Sequence, residues 1–452
     1  MGNKRKASAL QQQPRSTTTT AAANNDLLSK KEEQKSQEVL LADQPSSKKW
    51  RNWWIRTVTT FMMIGAFFTI LASGHLWVIL MTMTIQTVVF GEVILIAQGP
   101  AKERQMRWYK TISWYFFVTA MYYLHGESII YYFQQIILVD AFLLPFATHH
   151  RFISFMLYVI GFVFFVGNLR KGLYKRQFAQ FGWTHMALIL IVVQSHFIVN
   201  NILEGLIWFV LPVSLVICND IFAYVCGFFW GRTQLIQLSP KKTVEGFLGA
   251  WLCTMVFGFA WVTLLMQFDY MVCPVKDLGT TAWTAGVCEH KNPVFTAVAY
   301  DVPAVLSDIA ASLNVTKIYI APVQLHTLVM ACFASLIAPF GGFFASGLKR
   351  AFNIKDFGQS IPGHGGMTDR MDCQFLMGLF ASIYYQSFIK NHIHSVGGIL
   401  ATIIGSLTLN EQLELLERQL TFFVNQGVLD PSVLEKCVSS ALTENARVIL
   451  GQ

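Results

Sequence analysis

Long apolar runs separated by short charged loops organise this chain. They lie at about 57–73, 76–97, 112–126, 152–169, 183–199, 202–226, 244–265, 324–345 and 373–389. A hydrocarbon core of about 30 Å takes roughly 20 helical residues. Lipid offers the backbone no partner but itself, and none of the runs alternates with the period of a barrel strand. Each therefore predicts a helix. Two further segments differ: 127–146 carries Glu127, Gln134, Gln135 and Asp140, and 396–409 is short. The expected architecture is all-α and polytopic, with about nine to ten transmembrane helices. Residues 1–49 lack periodicity, with glutamines at 11–13 and threonines at 17–20, and are expected to be a disordered tail. Residues 50–410 form the transmembrane domain, and 411–452 a C-terminal amphipathic helical tail.

Composition sharpens the class. Hydrophobic residues make up 54% and charged residues 13% of 452, whereas soluble domains are about 25% charged. An aromatic content of 14% excludes disorder for the bulk of the chain. The net charge is +8, and the eleven basic and five acidic residues before residue 57 supply most of it. A basic tail of this kind suits an anionic membrane face, and no nucleic-acid partner is expected. The eight cysteines form no zinc pattern. Lys6 stands where myristoylation requires Ser or Thr, and no cleavable signal peptide is expected.

Lys and Arg in short loops set the orientation. With nine spans and a cytoplasmic N-terminus, the cytoplasmic loops are 98–111 (Lys102, Arg104, Arg107, Lys110), 170–182 (Arg170, Lys171, Lys175, Arg176), 227–243 (Arg232, Lys241, Lys242) and 346–372 (Lys349, Arg350, Lys355, Arg370). A full crossing at 127–146 would strand the 170–176 cluster on the wrong face, so that segment reads as interfacial or re-entrant. The loop 266–323 then faces the lumen. It holds Cys273, Cys288 and the sequon Asn314-Val315-Thr316, which fit an oxidising compartment, most simply that of the endoplasmic reticulum membrane.

Two cytoplasmic loops carry candidate chemistry. In the first, Asp220 sits in an apolar helix, where a carboxylate is costly and usually functional or paired. Ser239 and Pro240 read as N-cap and first helical residue. That places Lys241, Lys242 and Thr243 on a first turn suited to an anion, though the lysines also read as membrane anchors. Gly246 and Ala250 suit close helix packing. The second loop runs from Ser346 to Asp372 and holds Lys349, Arg350, Lys355 and Arg370 with Asp356, Asp369 and Asp372. Asp369 and Asp372, three apart, share a helix face and are hard oxygen ligands of the kind Mg²⁺ takes beside substrate phosphates. Gly363, Gly365 and Gly366 permit positive φ and close backbone approach to phosphate. His364 reads as metal ligand, phosphate donor or turn residue, and phosphate contact is favoured.

This second loop resembles the phosphatidate cytidylyltransferases (CDP-diacylglycerol synthases) in the form S-x-x-K-R-x(4)-K-D-x(5)-P-G-H-G-G-x-x-D-R-x-D, from Ser346 to Asp372. Residues 239–246, 181–205 and 338–350 also look like the eukaryotic branch, so the resemblance covers about 50–410. It implies a membrane enzyme that transfers the cytidylyl group of CTP to phosphatidic acid and releases pyrophosphate at the cytoplasmic membrane face. It also implies Asp369, Asp372 and Asp220 as ligands of Mg²⁺ or Mn²⁺, with Lys242 beside them in catalysis. Ser239, Lys241, Lys242, Thr243, Lys349, Arg350, Lys355, His364, Gly365, Gly366 and Arg370 would bind substrate, and Asp356 would orient Lys355 or serve the metal. It favours a homodimer. The rival readings are a CDP-alcohol phosphotransferase, against which the missing Asp-Gly-x-x-Ala-Arg stretch counts, and a transporter, for which no internal repeat is found.

The remaining polar residues read more plainly. Glu92 and Glu204 either line a polar cavity or cap a buried hydrogen bond. His185 and His196 read as packing residues, and Trp50, Trp53 and Trp54 as interfacial anchors. Leu413, Leu416, Leu420 and Phe423 share one face of a helix over 411–423, fit either to lie on the membrane or to pair with a second subunit.

Overall fold

In the computed structural model the apolar runs are helices almost without exception. It describes residues 46–98, 108–133, 146, 149–236, 238–239, 242–275, 279–284, 286, 292–301, 317–390, 400, 403–430 and 432. Helices α1 (Ser46–Ser73), α2 (His75–Gln98), α3 (Tyr109–Phe133) and α4 (His150–Gly167) come first. Then α5 (Tyr174–Ala187) runs through a π turn at Leu188–Val193 into α6 (Gln194–Glu204). Next come α7 (Ile207–Trp230), α8 (Val244–Leu265), α9 (Pro322–Leu336), α10 (Pro339–Ala351) and α11 (Thr368–Tyr384). Among the described residues, seven helices are long and apolar enough to cross a bilayer: Trp54–Ser73, His75–Ala97, His150–Gly167, Tyr174–Glu204, Ile207–Trp230, Val244–Leu265 and Pro322–Ala351. The chain is a polytopic, all-α membrane protein.

Several boundaries differ from the expectation. α5 starts at Tyr174, inside the expected loop 170–182. The run 324–345 is broken between Leu336 and Pro339, with α10 continuing to Ala351 inside the expected loop 346–372. α3 passes Glu127 without a break and continues to Phe133, so the start of the segment read as interfacial is helix. The rest of that segment lies largely outside the described residues. The runs expected at 183–199 and 202–226 part instead at Gly205, whose φ of 135° ends α6 in a conformation other residues rarely adopt. Finally, Ser239 is not the N-cap of α8. Thr243 is, with its hydroxyl accepting from Gly246 N at 3.2 Å. Residues 233–236 pair back on 242–244 as a hairpin instead, through Leu235 N to Lys242 O (2.9 Å) and Val244 N to Thr233 O (3.0 Å), with Lys242 N on Ser239 O (3.1 Å). Ser-Pro is as good a turn signal as a helix start, and here the turn wins because Glu245 pins the far strand by accepting from Arg232 N and Thr233 N. Lys241 and Pro240 lie outside the described residues. Thr243→Ala is expected to cost about 1 kcal/mol of stability, seen as a lower thermal midpoint in detergent, and Thr243→Ser is expected to restore it.

The long loop after α8 contains a two-stranded antiparallel pair, β1 (Val298–Asp301) and β2 (Lys317–Ile320), in register Val298↔Ile320 to Asp301↔Lys317. Cys273 is disulfide-bonded. Cys288 and the Asn314 sequon lie outside the described residues.

α7 is the central helix. Its Trp208, Leu211 and Leu215 are fully buried, as are Leu206 before it, Met330 of α9 and Met377 of α11. α8, α9 and α11 pack on α7. In lipid such contacts hold by close packing, since acyl chains are as apolar as leucine. Gly246 and Ala250 are buried, and a Cβ on Gly246 would lie 2.7 Å from Ala223 O of α7, the close approach their spacing suggested. Glu204 accepts from Tyr385 Oη at 3.0 Å, and His185 bonds Phe181 O and Tyr158 Oη. These are the buried hydrogen bond and the packing histidine of the sequence reading.

The chain divides into two compact units, Met1–Ser387 and Phe388–Gln452. The second contains α12 (Leu409–Asn425), whose N-cap Thr408 and Glu411 form a capping box. The Thr408 amide and hydroxyl hold the Glu411 carboxyl below its usual range. Leu409, Leu413, Leu416 and Phe423 of α12 are exposed.

Candidate active site

Both chemistry-bearing loops meet at one end of the first unit. The 233–244 hairpin touches α10, where a Cβ on Gly347 would lie 3.4 Å from Leu238. Lys242 Nζ stands 5.0 Å from the centre of the Phe343 ring. The loop between α10 and α11 returns to α1 through His364 Nε2 and Thr60 Oγ1 at 3.2 Å. It is braced internally by Arg370 Nη2 donating to His364 O at 2.9 Å.

The three expected metal carboxylates separate into a pair and a single. Asp220 of α7 and Asp372 of α11 are close enough to repel each other, and Lys242 attracts both; Arg370 also acts on Asp220. Asp372 is half-buried and one of its oxygens accepts from Cys373 N at 2.8 Å. Asp220 is exposed on α7. Asp369 is engaged elsewhere. Its Oδ1 takes Lys349 Nζ at 2.7 Å, and its Oδ2 accepts from Phe357 N at 3.0 Å and Gly366 N at 3.3 Å. Spacing put Asp369 and Asp372 on one helix face, but the loop folds back over the first turn and takes Asp369 for itself. Among the described residues, no three His, Cys, Asp or Glu side chains form a ready-made metal cage.

The cations of the two loops differ in how open they are. Lys242 serves the carboxylate pair, and Lys349 is clasped to Asp369 with its side chain 21% exposed, so it is only partly open to a ligand. Arg350, Lys355 and Arg370 are exposed, and Asp356 is exposed beside Gly365. Gly363 and Gly365 adopt φ of 77° and 86°, the left-handed turns the sequence anticipated. His364 has one ring nitrogen on Thr60 and the other 3.4 Å from Pro362 O, so it ties the loop to α1. Ser239 lies in the hairpin turn and Thr243 at the cap, both half-buried.

Sequence reasoning left one residue undecided that the structure places at the heart of the loop. Glu92 of α2 is 6% exposed and accepts from Met367 N (3.0 Å), Thr368 N (2.8 Å) and Thr368 Oγ1 (2.6 Å), and from Ser360 Oγ. Its only signal in the sequence was a carboxylate in an apolar run.

Two hard-oxygen donors that share the influence of one lysine, with arginine and lysine exposed along 346–372, suit polyphosphate and a divalent ion. Comparison with known proteins bears on which polyphosphate chemistry this is. The model of the "Cytidylyltransferase family" matches residues 54–388. A Schizosaccharomyces pombe protein named putative phosphatidate cytidylyltransferase is 51% identical over 397 residues, covering 88% of this chain and 89% of the relative. The Saccharomyces cerevisiae phosphatidate cytidylyltransferase is 46% identical over 385 residues, 85% and 83% of the two chains. Human phosphatidate cytidylyltransferase 1 is 42% identical over 387 residues, 86% and 82%. The matched span runs from α1 to the end of α11 and takes in both chemistry-bearing loops and Glu92, which makes this chain a member of the cytidylyltransferase family.

Proposed function

We propose that the chain transfers the cytidylyl group of CTP to phosphatidate, giving CDP-diacylglycerol and pyrophosphate. The relatives named for that activity, aligned over more than four-fifths of both chains, carry this reading. A phosphate oxygen of the lipid attacks the α-phosphorus of CTP. The new P–O bond forms as the bond to the bridging oxygen breaks, and pyrophosphate leaves with the electron pair. The protein's work is to bring two anions together and to stabilise charge on the departing phosphates.

Residue roles follow from this arrangement. Asp220 and Asp372, two carboxylates on which the charge of Lys242 acts, fit a divalent ion whose remaining ligands are water and substrate phosphate. When bound, Mg²⁺ or Mn²⁺ would supply charge neutralisation there. Lys242 holds phosphate oxygen beside the pair. Arg350, Lys355 and Arg370, exposed along 346–372, receive the triphosphate, with Ser239 and Thr243 on the hairpin side, and Lys241 binds substrate phosphate as well. Asp369 shapes the loop and holds Lys349 ready. His364, Gly365 and Gly366 set the loop's path along the phosphates. The N-terminus and both loops are cytoplasmic, the membrane is that of the endoplasmic reticulum, and the enzyme is a homodimer. The charge distribution of the loops and the disulfide at Cys273 support the sidedness.

Purified protein given phosphatidate vesicles, CTP and Mg²⁺ is expected to release pyrophosphate in step with CDP-diacylglycerol, to release none without phosphatidate, and to fall silent with EDTA until Mg²⁺ is restored. Pyrophosphate release indifferent to phosphatidate would refute the assignment. Release that persists in EDTA would refute the metal pair.

A further inference from the structure

We propose that Glu92 is a positioning residue for the nucleotide, acting through the 360–368 loop; this rests on the reaction assigned above. A carboxylate inside a membrane-spanning helix is costly unless fully partnered. Glu92 has four donors on two oxygens: Ser360 Oγ and Met367 N on Oε1, Thr368 N and Thr368 Oγ1 on Oε2. These partners bracket the Pro362-Gly363-His364-Gly365-Gly366 turn, so one side chain grips the loop at both ends.

The same contact starts α11. No side chain of the segment itself caps this helix, and Met367 N and Thr368 N are among the amides a helix start leaves unpaired. Glu92 satisfies them from α2 with charge-assisted bonds, and its negative charge suits the positive end of the α11 dipole. The loop leaves room for it. A Cβ on Gly358 would lie 2.6 Å from Glu92 Oε1, and one on Gly366 would lie 3.0 Å from Oε2. One turn further along α11 stands Asp372. The grip therefore fixes the glycine turn against phosphate and the register of the carboxylate together.

Glu92→Gln keeps the shape but turns an amide donor toward donors. Its KM for CTP is expected to rise at least tenfold while KM for phosphatidate stays within twofold and the folded yield is unchanged. A merely structural role would lower the active fraction and leave both KM values alone. That result, or a KM for CTP within twofold of wild type, overturns the proposal. If Glu92→Gln does not fold, the pair Ser360→Ala and Thr368→Val, which leaves Glu92 in place and removes two donors, carries the test. A rise of threefold or more in KM for CTP is then the expected result, and an unchanged KM the overturning one. Displacement of a fluorescent CTP analogue reads the same affinity without turnover. An inactive wild type would thus sink the reaction while the effect of Glu92 on nucleotide binding is still decided.

Discussion

Asp372→Asn is expected to lower phosphatidate-dependent pyrophosphate release by about 10²–10³-fold, the usual scale for losing a group that stabilises transition-state charge. The substitution conserves volume and removes one charge from a pair of like charges. Poor solvation is the main cost of the charge on both carboxylates, the charge of Asp220 adds to that on Asp372, and Lys242 offsets part of it. Neutralising one relieves repulsion, so the thermal midpoint in detergent is expected to hold or to rise while turnover collapses. Stability and activity moving in opposite directions is the signature of a functional carboxylate. Turnover within threefold of wild type would remove Asp372 from the centre.

The second large effect is steric. Gly366→Ala is expected to cost about 1–3 kcal/mol, as overfilling a packed site does, and to reduce turnover by about 100-fold, the scale for misplacing a reacting geometry by an ångström. The added Cβ would lie 2.7 Å from Gly358 N, a backbone atom with little freedom, 3.0 Å from Glu92 Oε2 and 3.1 Å from Asp369 Oδ2. No rotamer change relieves all three. Gly182→Ala is the control, because nothing stands within 4 Å of its Cβ position on α5, and alanine favours the helix. Full activity in Gly366→Ala would mean the loop does not need this approach to work.

How far the sequence could reach is clearest at particular residues. Apolar length alone placed helices such as α2 and α8 nearly to the residue, because lipid leaves the backbone few alternatives. The turn in the 346–372 loop was legible because its glycines are local to one another, and Gly363 and Gly365 do take positive φ. What stayed hidden was pairing at a distance. Spacing said that Asp369 and Asp372 share a face, but not that Lys349 and two amides would claim the first. Ser239-Pro240 offered a helix start as convincing as the one Thr243 makes, and only the Glu245 contacts decide between them. Glu92 lies 268 residues from Ser360, and no local pattern relates them.

If the proposed assignment holds, the clasp between Lys349 and Asp369 would set a threshold for selectivity. At rest, that ammonium is already neutralised in a largely enclosed setting, so a weakly charged visitor gains little by displacing the partner it has. On the proposed assignment, a triphosphate brings enough negative charge to draw the lysine away, and a nucleoside monophosphate does not. The resting enzyme would thus ignore the cell's stock of lesser anions without any wall to keep them out.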